Sequence, residues 1–378
     1  MDKDLLDCFS YAILQGDTKL FDLLAKDFDK FDQNDKTSLL EKTIIGAPNT
    51  SFIQHVLDYG YDINYKNEED YTLLHIAAFS FYPETIKFLI KKGLDIEART
   101  KNNATPLWLA ADSGENVEIL QAFIDAGADI NVKGSGDENL LIAAAGRNPN
   151  PEITEFLLKL GFDPEERDKE GYTALLNAAY WQKNIDVFDV LLDAGANPRA
   201  KANNGDTMLH NAALNENRNT VWHIIDSFKT YEQNNVGVSC LEKVLTEGTS
   251  PEVLKLFLRK MKEEQVFFAC TNSNPEILET LILSGYDINT CDSDGVSAMM
   301  CAARTNTNPT IMEMFIFYDA IWNNHDIDGR NLLHHAAANP NPAIYHWLLK
   351  KDEFKYMQKK RDNEGKLPID YFHDDKKF

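Results

Sequence analysis

The chain has little of what exported proteins and most enzymes display. Its five cysteines (Cys8, Cys240, Cys270, Cys291, Cys301) are odd in number and none stands in C-x-x-C spacing. That argues against a disulfide framework or a cysteine-based zinc site and leaves reduced thiols in a reducing compartment. No run of 18 apolar residues occurs, so no segment is expected to span a bilayer. The chain begins Met1-Asp2-Lys3-Asp4 with no apolar run behind a basic segment, which argues against a secretory signal. The expected compartment is the cytoplasm; export by a route that needs no such signal, or residence in a host cytosol, stays open. Bases are scarce as well: 38 Lys and Arg face 60 Asp and Glu, a net charge of −22. The first 200 residues carry 35 acids and 19 bases, net −16, and the remainder 25 and 19, net −6. Phosphate backbones attract the opposite charge, so neither nucleic acid nor an anionic membrane is the expected partner. A protein with a neutral or basic surface is.

What the chain does have is a period. A threonine-like position recurs at Thr37, Thr72, Thr105, Asn139, Thr173, Thr207 and Ser239, in steps of 35, 33, 34, 34, 34 and 32 residues, and again at Ser297 and Asn331, 34 apart. The clearest unit runs Gly171-Tyr172-Thr173-Ala174-Leu175-Leu176-Asn177-Ala178-Ala179, then Val187, Leu191 and Leu192, then Ala194-Gly195-Ala196-Asn197. Apolar residues at helical spacing on both sides of a short turn describe two helices and a loop per repeat. Thr105-Pro106-Leu107-Trp108-Leu109-Ala110-Ala111 resembles the T-P-L-H-x-A-A motif of ankyrin repeats, as does Thr72-Leu73-Leu74-His75-Ile76-Ala77-Ala78. Ala126-Gly127-Ala128-Asp129-Ile130-Asn131 is similar to the family's closing finger. The resemblance covers nearly the whole chain. It implies an all-α ankyrin-repeat solenoid of about ten to eleven helix-turn-helix repeats with β-turn fingers and capped ends.

Organisation follows from where the pattern holds. Residues 1–378 are expected to form a single array. Within it, 1–35 is an N-terminal cap, with Gly16-Asp17 as the turn between its helices and Lys3, Asp4, Asp7, Lys26, Asp27, Asp29 and Lys30 wetting its outer face. Regular repeats fill 36–235, the first and most degenerate starting near Thr37. Irregular repeats with a missing finger occupy 236–290. Regular repeats return over 291–362 with a basic insertion from Lys350-Lys351 to Lys359-Lys360-Arg361, and 363–378 is a C-terminal cap. In the irregular part, Leu258-Arg259-Lys260-Met261-Lys262 runs almost straight into Gln265-Val266-Phe267-Phe268. Counting back from Ile277 puts the next threonine-like position at Glu263, only 24 residues after Ser239. About ten residues are missing, either a tolerated loop deletion or a functional notch or hinge. Before second helices stand Asn150-Pro151-Glu152, Asn274-Pro275-Glu276, Asn308-Pro309 and Asn341-Pro342. Asn caps free amides, Pro suits the first helical position, and an early Glu complements the helix dipole.

Chemistry is sparse. Gly134-Ser135-Gly136 is too short for a phosphate loop and lacks its lysine. No cysteine sits in a recognisable nucleophile motif. His75, His210 and His334 occupy the motif's fourth position, where the resemblance implies a hydrogen bond between neighbouring turns and helix starts. His335 and His346 near His334 form the one grouping to weigh as a metal or enzymatic site, and it lacks a Cys or carboxylate at ligand spacing. Neither catalysis, nor a cofactor, nor a metal is expected.

Binding is. The resemblance implies a concave groove faced, in successive repeats, by Tyr71, Phe79 and Ser80; by Ala104, Asp112 and Ser113; by Glu138, Gly146 and Arg147; and by Tyr172, Tyr180 and Trp181. Aromatic residues concentrate binding energy at interfaces. The candidate site is therefore Tyr71, Phe79, Phe81, Tyr82, Tyr172, Tyr180 and Trp181, with Glu68, Glu69, Asp168 and Glu170 (and their neighbour Asp70) as acidic tips. Packing of some rings between repeats is the alternative. The expected function is non-enzymatic protein binding by a monomer; an inhibitor or host-directed, anti-defence decoy with an acidic blocking face is the alternative.

Overall fold

A computed structural model describes residues 3–26, 31–227, 233–260 and 269–372. Asp27, Asp29 and Lys30 of the expected cap, and Met261 to Phe268 with Glu263 of the expected deletion, lie outside them. The chain forms two compact units, Met1–Asn204 and Gly205–Phe378.

The first unit opens with α1 (Lys3–Gln15) and α2 (Thr18–Leu24), joined at Gly16, whose φ of 63° turns the chain, and capped by Asp17, which accepts the Leu20 amide at 3.0 Å. Helix pairs follow: α3 (Gln33–Gly46) and α4 (Thr50–Leu57); α5 (Leu73–Ala77) and α6 (Glu84–Lys91); α7 (Pro106–Ser113) and α8 (Val117–Asp125); α9 (Leu140–Arg147) and α10 (Pro151–Lys159); α11 (Ala174–Trp181) and α12 (Asp186–Asp193). The second unit holds α13 (Met208–Ala212) with α14 (Arg218–Ser227), α15 (Cys240–Thr246) with α16 (Pro251–Lys260), then α17 (Pro275–Leu283), α18 (Ala298–Thr305) with α19 (Pro309–Phe317), and α20 (Leu332–Ala337) with α21 (Ala343–Leu349). A short α22 (Asp352–Lys355) and two 3₁₀ turns, Tyr356–Lys359 and Pro368–Tyr371, close it.

First helices begin where the threonine-like residue caps them. Thr105 accepts the Trp108 amide, Asn139 that of Ile142 at 2.8 Å and Ser297 that of Met300. Each is buried along almost its whole length; Leu140 to Gly146 are all buried in α9. Second helices bury one stripe, such as Ile119, Leu120 and Phe123 in α8. Their asparagine caps accept the amide two residues on, Asn150 from Glu152 and Asn274 from Glu276, both at 3.0 Å. Thr37 does not cap: α3 starts earlier, at Asp32, which accepts the Asp35 amide at 2.8 Å. The first described helix pair after the cap therefore lacks the spacing of the others.

The fingers are hairpin turns. Among the described residues they carry only isolated bridges, Lys66 to Thr72, Gln233 to Ser239 and Cys291 to Ser297. Neighbouring fingers join through the backbone: the amide of Lys101 donates to Glu69 O, Lys169 to Gly136 O, Asn203 to Glu170 O, Ile327 to Asp294 O and Asn363 to Asp328 O, at 2.8 to 3.1 Å. At the opposite end of the helices runs a ladder of buried amides. Asn148 donates Nδ2 to Ala111 O and Gly114 O, and Gln182 donates Nε2 to Ala145 O and Asn148 O. In the second unit Asn306 reaches Cys270 O and Asn272 O, and Asn339 reaches Ala303 O and Asn306 O. These partners lie 33 to 37 residues apart. Asn272 makes the same two bonds to Leu245 O and Gly248 O across only 27 and 24 residues. The stacking contact is thus kept across a shorter span of chain.

Candidate functional site

The binding residues singled out above all lie in the first unit, where ring contacts join Tyr180 with Trp181 and Tyr71 with His75. Tyr180 and Trp181 end α11, their rings 4.4 Å apart, with Trp181 53% exposed and Tyr180 half-buried. The next residue, Gln182, is buried and holds the helix end through its bonds to Ala145 O (3.0 Å) and Asn148 O (2.8 Å). A helix end anchored beneath an exposed indole leaves little backbone entropy to be lost on contact. Tyr172 and Tyr71 are half-buried, the latter with its ring 5.5 Å from that of His75. Phe79 and Tyr82 are half-buried and Phe81 is 52% exposed. Ser80, Ala104, Asp112 and Gly146 are buried. Their faces are committed to packing between repeats: Ser80 Oγ donates to Ile45 O, and a Cβ on Gly146 would lie 2.4 Å from Asn177 Nδ2.

Glu68, Glu69 and Glu170 are exposed on the tips. Asp168 is half-buried and builds its finger: Oδ1 accepts the amides of Glu170 (2.9 Å) and Tyr172 (2.8 Å). Burial pushes its carboxyl above the usual carboxylate range. Asn67, Asn234, Asp292, Asp326 and Asp362 make the same pair of bonds in their own fingers.

One cluster escaped sequence reasoning. Arg147 sits between Asp112 Oδ1 and Glu138, whose Oε2 lies 2.7 Å from the guanidinium, and covers the Trp108 ring at 5.3 Å. Ser113 Oγ donates to the other oxygen of Asp112. Two acids of this face thus serve an internal cation. Trp108 replaces the motif's histidine, and Gly134 is glycine because a Cβ there would lie 2.5 Å from Trp108 Nε1.

The histidines that do occupy the motif position are structural struts. His75 accepts the Thr72 amide on Nδ1 at 3.0 Å, so its Nε2 proton donates to Ala104 O at 3.2 Å; His210 links Thr207 to Val238 O and His334 links Asn331 to Lys366 O in the same way. His335 turns instead to Asp326 Oδ2 at 3.0 Å, and His346 is exposed against the Phe372 ring. Among the described residues no group of three His, Cys, Asp or Glu is placed to hold a metal. Burial pushes the Cys270 and Cys301 thiols up, opposite to the direction that activates a nucleophile.

Burial also pulls His335 down to about 4, against the pull of Asp326. A histidine kept neutral when folded but free to protonate when unfolded stabilises the fold fully above its unfolded pKa. That contribution is lost as pH falls from about 6.5 toward 4. We expect the chain to lose about 2 kcal/mol between pH 7 and pH 5 from this residue, read as a lower urea midpoint. His335→Gln should flatten that slope; an unchanged slope in the variant rejects the assignment.

The family description "ankyrin repeats (3 copies)" matches residues 43–134, 140–237 and 266–360. Over 54 residues the chain is 37% identical to alpha-latrocrustotoxin-Lt1a of Latrodectus tredecimguttatus, a stretch that spans 14% of this chain and 4% of that protein. The human ASB11 ankyrin repeat domain aligns with a TM-score of 0.45 at 18% identity, over 68% of this chain and 98% of that one. No helix among the described residues is long and apolar enough to cross a membrane.

Proposed function

The chain belongs to the ankyrin repeat family, whose general role is protein–protein interaction, and from that premise we propose that it binds a protein partner through the aromatic face of its first unit. The reading rests on one observation above the others: Trp181, exposed beside Tyr180, is displayed by a helix end that Gln182 pins to the preceding repeat. An exposed indole costs solubility, and a large rigid ring repays that cost at an interface core. Phe81, Phe79, Tyr82, Tyr71 and Tyr172 extend the aromatic surface, and Glu68, Glu69 and Glu170 border it with negative charge. The partner then presents a neutral or basic surface to the tips. Non-enzymatic action as a monomer in a reducing, cytoplasmic compartment completes the reading; none of the five cysteines forms a disulfide.

The test is affinity retention from native lysate with immobilised full-length protein, wild type beside the Tyr180→Ala/Trp181→Ala double variant. Both side chains lie outside the buried stripe of α11, so helicity should be unchanged. Loss of two aromatic anchors is expected to weaken the partner by about a hundredfold or more, enough to remove it from the eluate. A partner retained equally by both proteins moves the site elsewhere.

A further inference from the structure

A second feature of the first unit has its own chemistry. Ser10, Ile13 and Leu14 of α1, Ile45 and Gly46 at the end of α3, and Phe81 line an open cavity of about 260 Å³ whose wall is almost wholly apolar. Its one charged lining group is Lys42, half-buried on α3, which pairs with no carboxylate among the described residues. The wall is built rather than loose. The Phe81 amide donates to Ile45 O at 3.2 Å, Ser80 Oγ donates to the same carbonyl at 3.2 Å, and the Tyr82 amide closes back on Ser80 Oγ at 3.1 Å. Gly46 leaves the floor open: a Cβ there would reach 3.2 Å from Leu14 Cδ2.

We infer that this cavity takes one large apolar side chain of a peptide segment that carries a carboxylate within a residue or two. The size suits a single Leu, Met or Phe. A preformed apolar wall spends little on ordering, so the area covered converts efficiently into affinity. The unpaired ammonium at the rim then selects the neighbouring charge. The unit around it is strongly acidic, yet that field is screened beyond about 8 Å at physiological salt, whereas a carboxylate in contact with Lys42 is not. The site would therefore choose an acidic-apolar segment in a protein whose other surfaces favour neutral or basic ones. The inference rests on the reading of the chain as a protein-binding module, but not on Tyr180 or Trp181.

A random dodecapeptide library displayed on phage, panned against immobilised full-length protein, tests it. Wild type should enrich a Leu, Met or Phe flanked by Asp or Glu. Phe81→Ala should reduce that enrichment at least tenfold. Lys42→Glu should exchange the flanking acids for Lys or Arg. The Tyr180→Ala/Trp181→Ala variant should enrich the same peptides as wild type, which separates this cavity from the Tyr180/Trp181 anchor even though Phe81 belongs to both surfaces: either can fail alone. Leu14→Gln, a change at a 53% exposed position, repeats the Phe81 measurement if that variant melts early. No enriched motif, a basic flank on wild type, or enrichment indifferent to both Phe81→Ala and Leu14→Gln overturns the proposal.

Discussion

Replacing Lys243 by methionine is expected to cost the second unit about 3–5 kcal/mol, because it breaks a buried ion pair. Asp206 is fully buried at the end of its finger, and the Lys243 ammonium, from α15 one repeat on, is its cationic partner. Asn234 Nδ2 donates to the other carboxylate oxygen at 2.8 Å. Methionine fills the space of the lysine stem but takes the ammonium away from a carboxylate that water does not reach, and losing one partner of a buried pair is costly. The double variant Asp206→Asn/Lys243→Met removes both charges and should recover most of the loss, because a buried pair is worth little beyond the penalty of breaking it. Urea unfolding of the three proteins checks this. A single-variant cost below about 1 kcal/mol would show that solvent enters the site.

Gly171→Val and Gly195→Val should differ sharply although both glycines hold left-handed backbone. Gly195 has φ +90° and open space around the Cβ position, so valine there pays only the backbone penalty, about 1–2 kcal/mol. Gly171 has φ +82°, and its Cβ would stand 2.3 Å from Asn203 Oδ1 and 2.7 Å from the Asn203 amide nitrogen. That asparagine ties the fingers together, donating its backbone amide to Glu170 O and its side-chain amide to Lys169 O, both at 2.9 Å. Valine would part them and sacrifice both bonds, for a total of about 4 kcal/mol. Thermal melts should separate the two variants clearly. Equal shifts would mean that finger-to-finger contact contributes nothing, and Asn203→Ala would then also be silent.

Much of this was legible because a repeat advertises itself through local rules. The threonine-like caps, the Asn-Pro starts of second helices and the glycines of the closing turns each act within a few residues, so one sequence window suffices to find them. Thr37 shows the limit: it sits at the right distance from Thr72, yet Asp32 starts the helix sooner. The amide ladder was half visible. Asn148-Pro149-Asn150-Pro151, Asn272-Ser273-Asn274-Pro275, Asn306-Thr307-Asn308-Pro309 and Asn339-Pro340-Asn341-Pro342 repeat an asparagine two places before the cap. Only stacking reveals that this first asparagine bonds to the repeat before it. The 24-residue gap after Ser239, in turn, agrees with the shortened reach of Asn272.

The sequence by itself determined the family, the all-α repeat architecture, the helix starts and the turn chemistry, because these depend on apolar period and on hydrogen bonds between near neighbours. Which polar residues meet was decided by tertiary structure alone. Arg147 lies 35 residues from Asp112 and nine from Glu138, and Lys243 lies 37 from Asp206. Many acids stand at comparable distances along the chain, and only the stacking of one repeat on the next selects the one that is buried within reach. The cavity beside Phe81 arises in the same way, from a loop of one repeat closing over two helices that precede it.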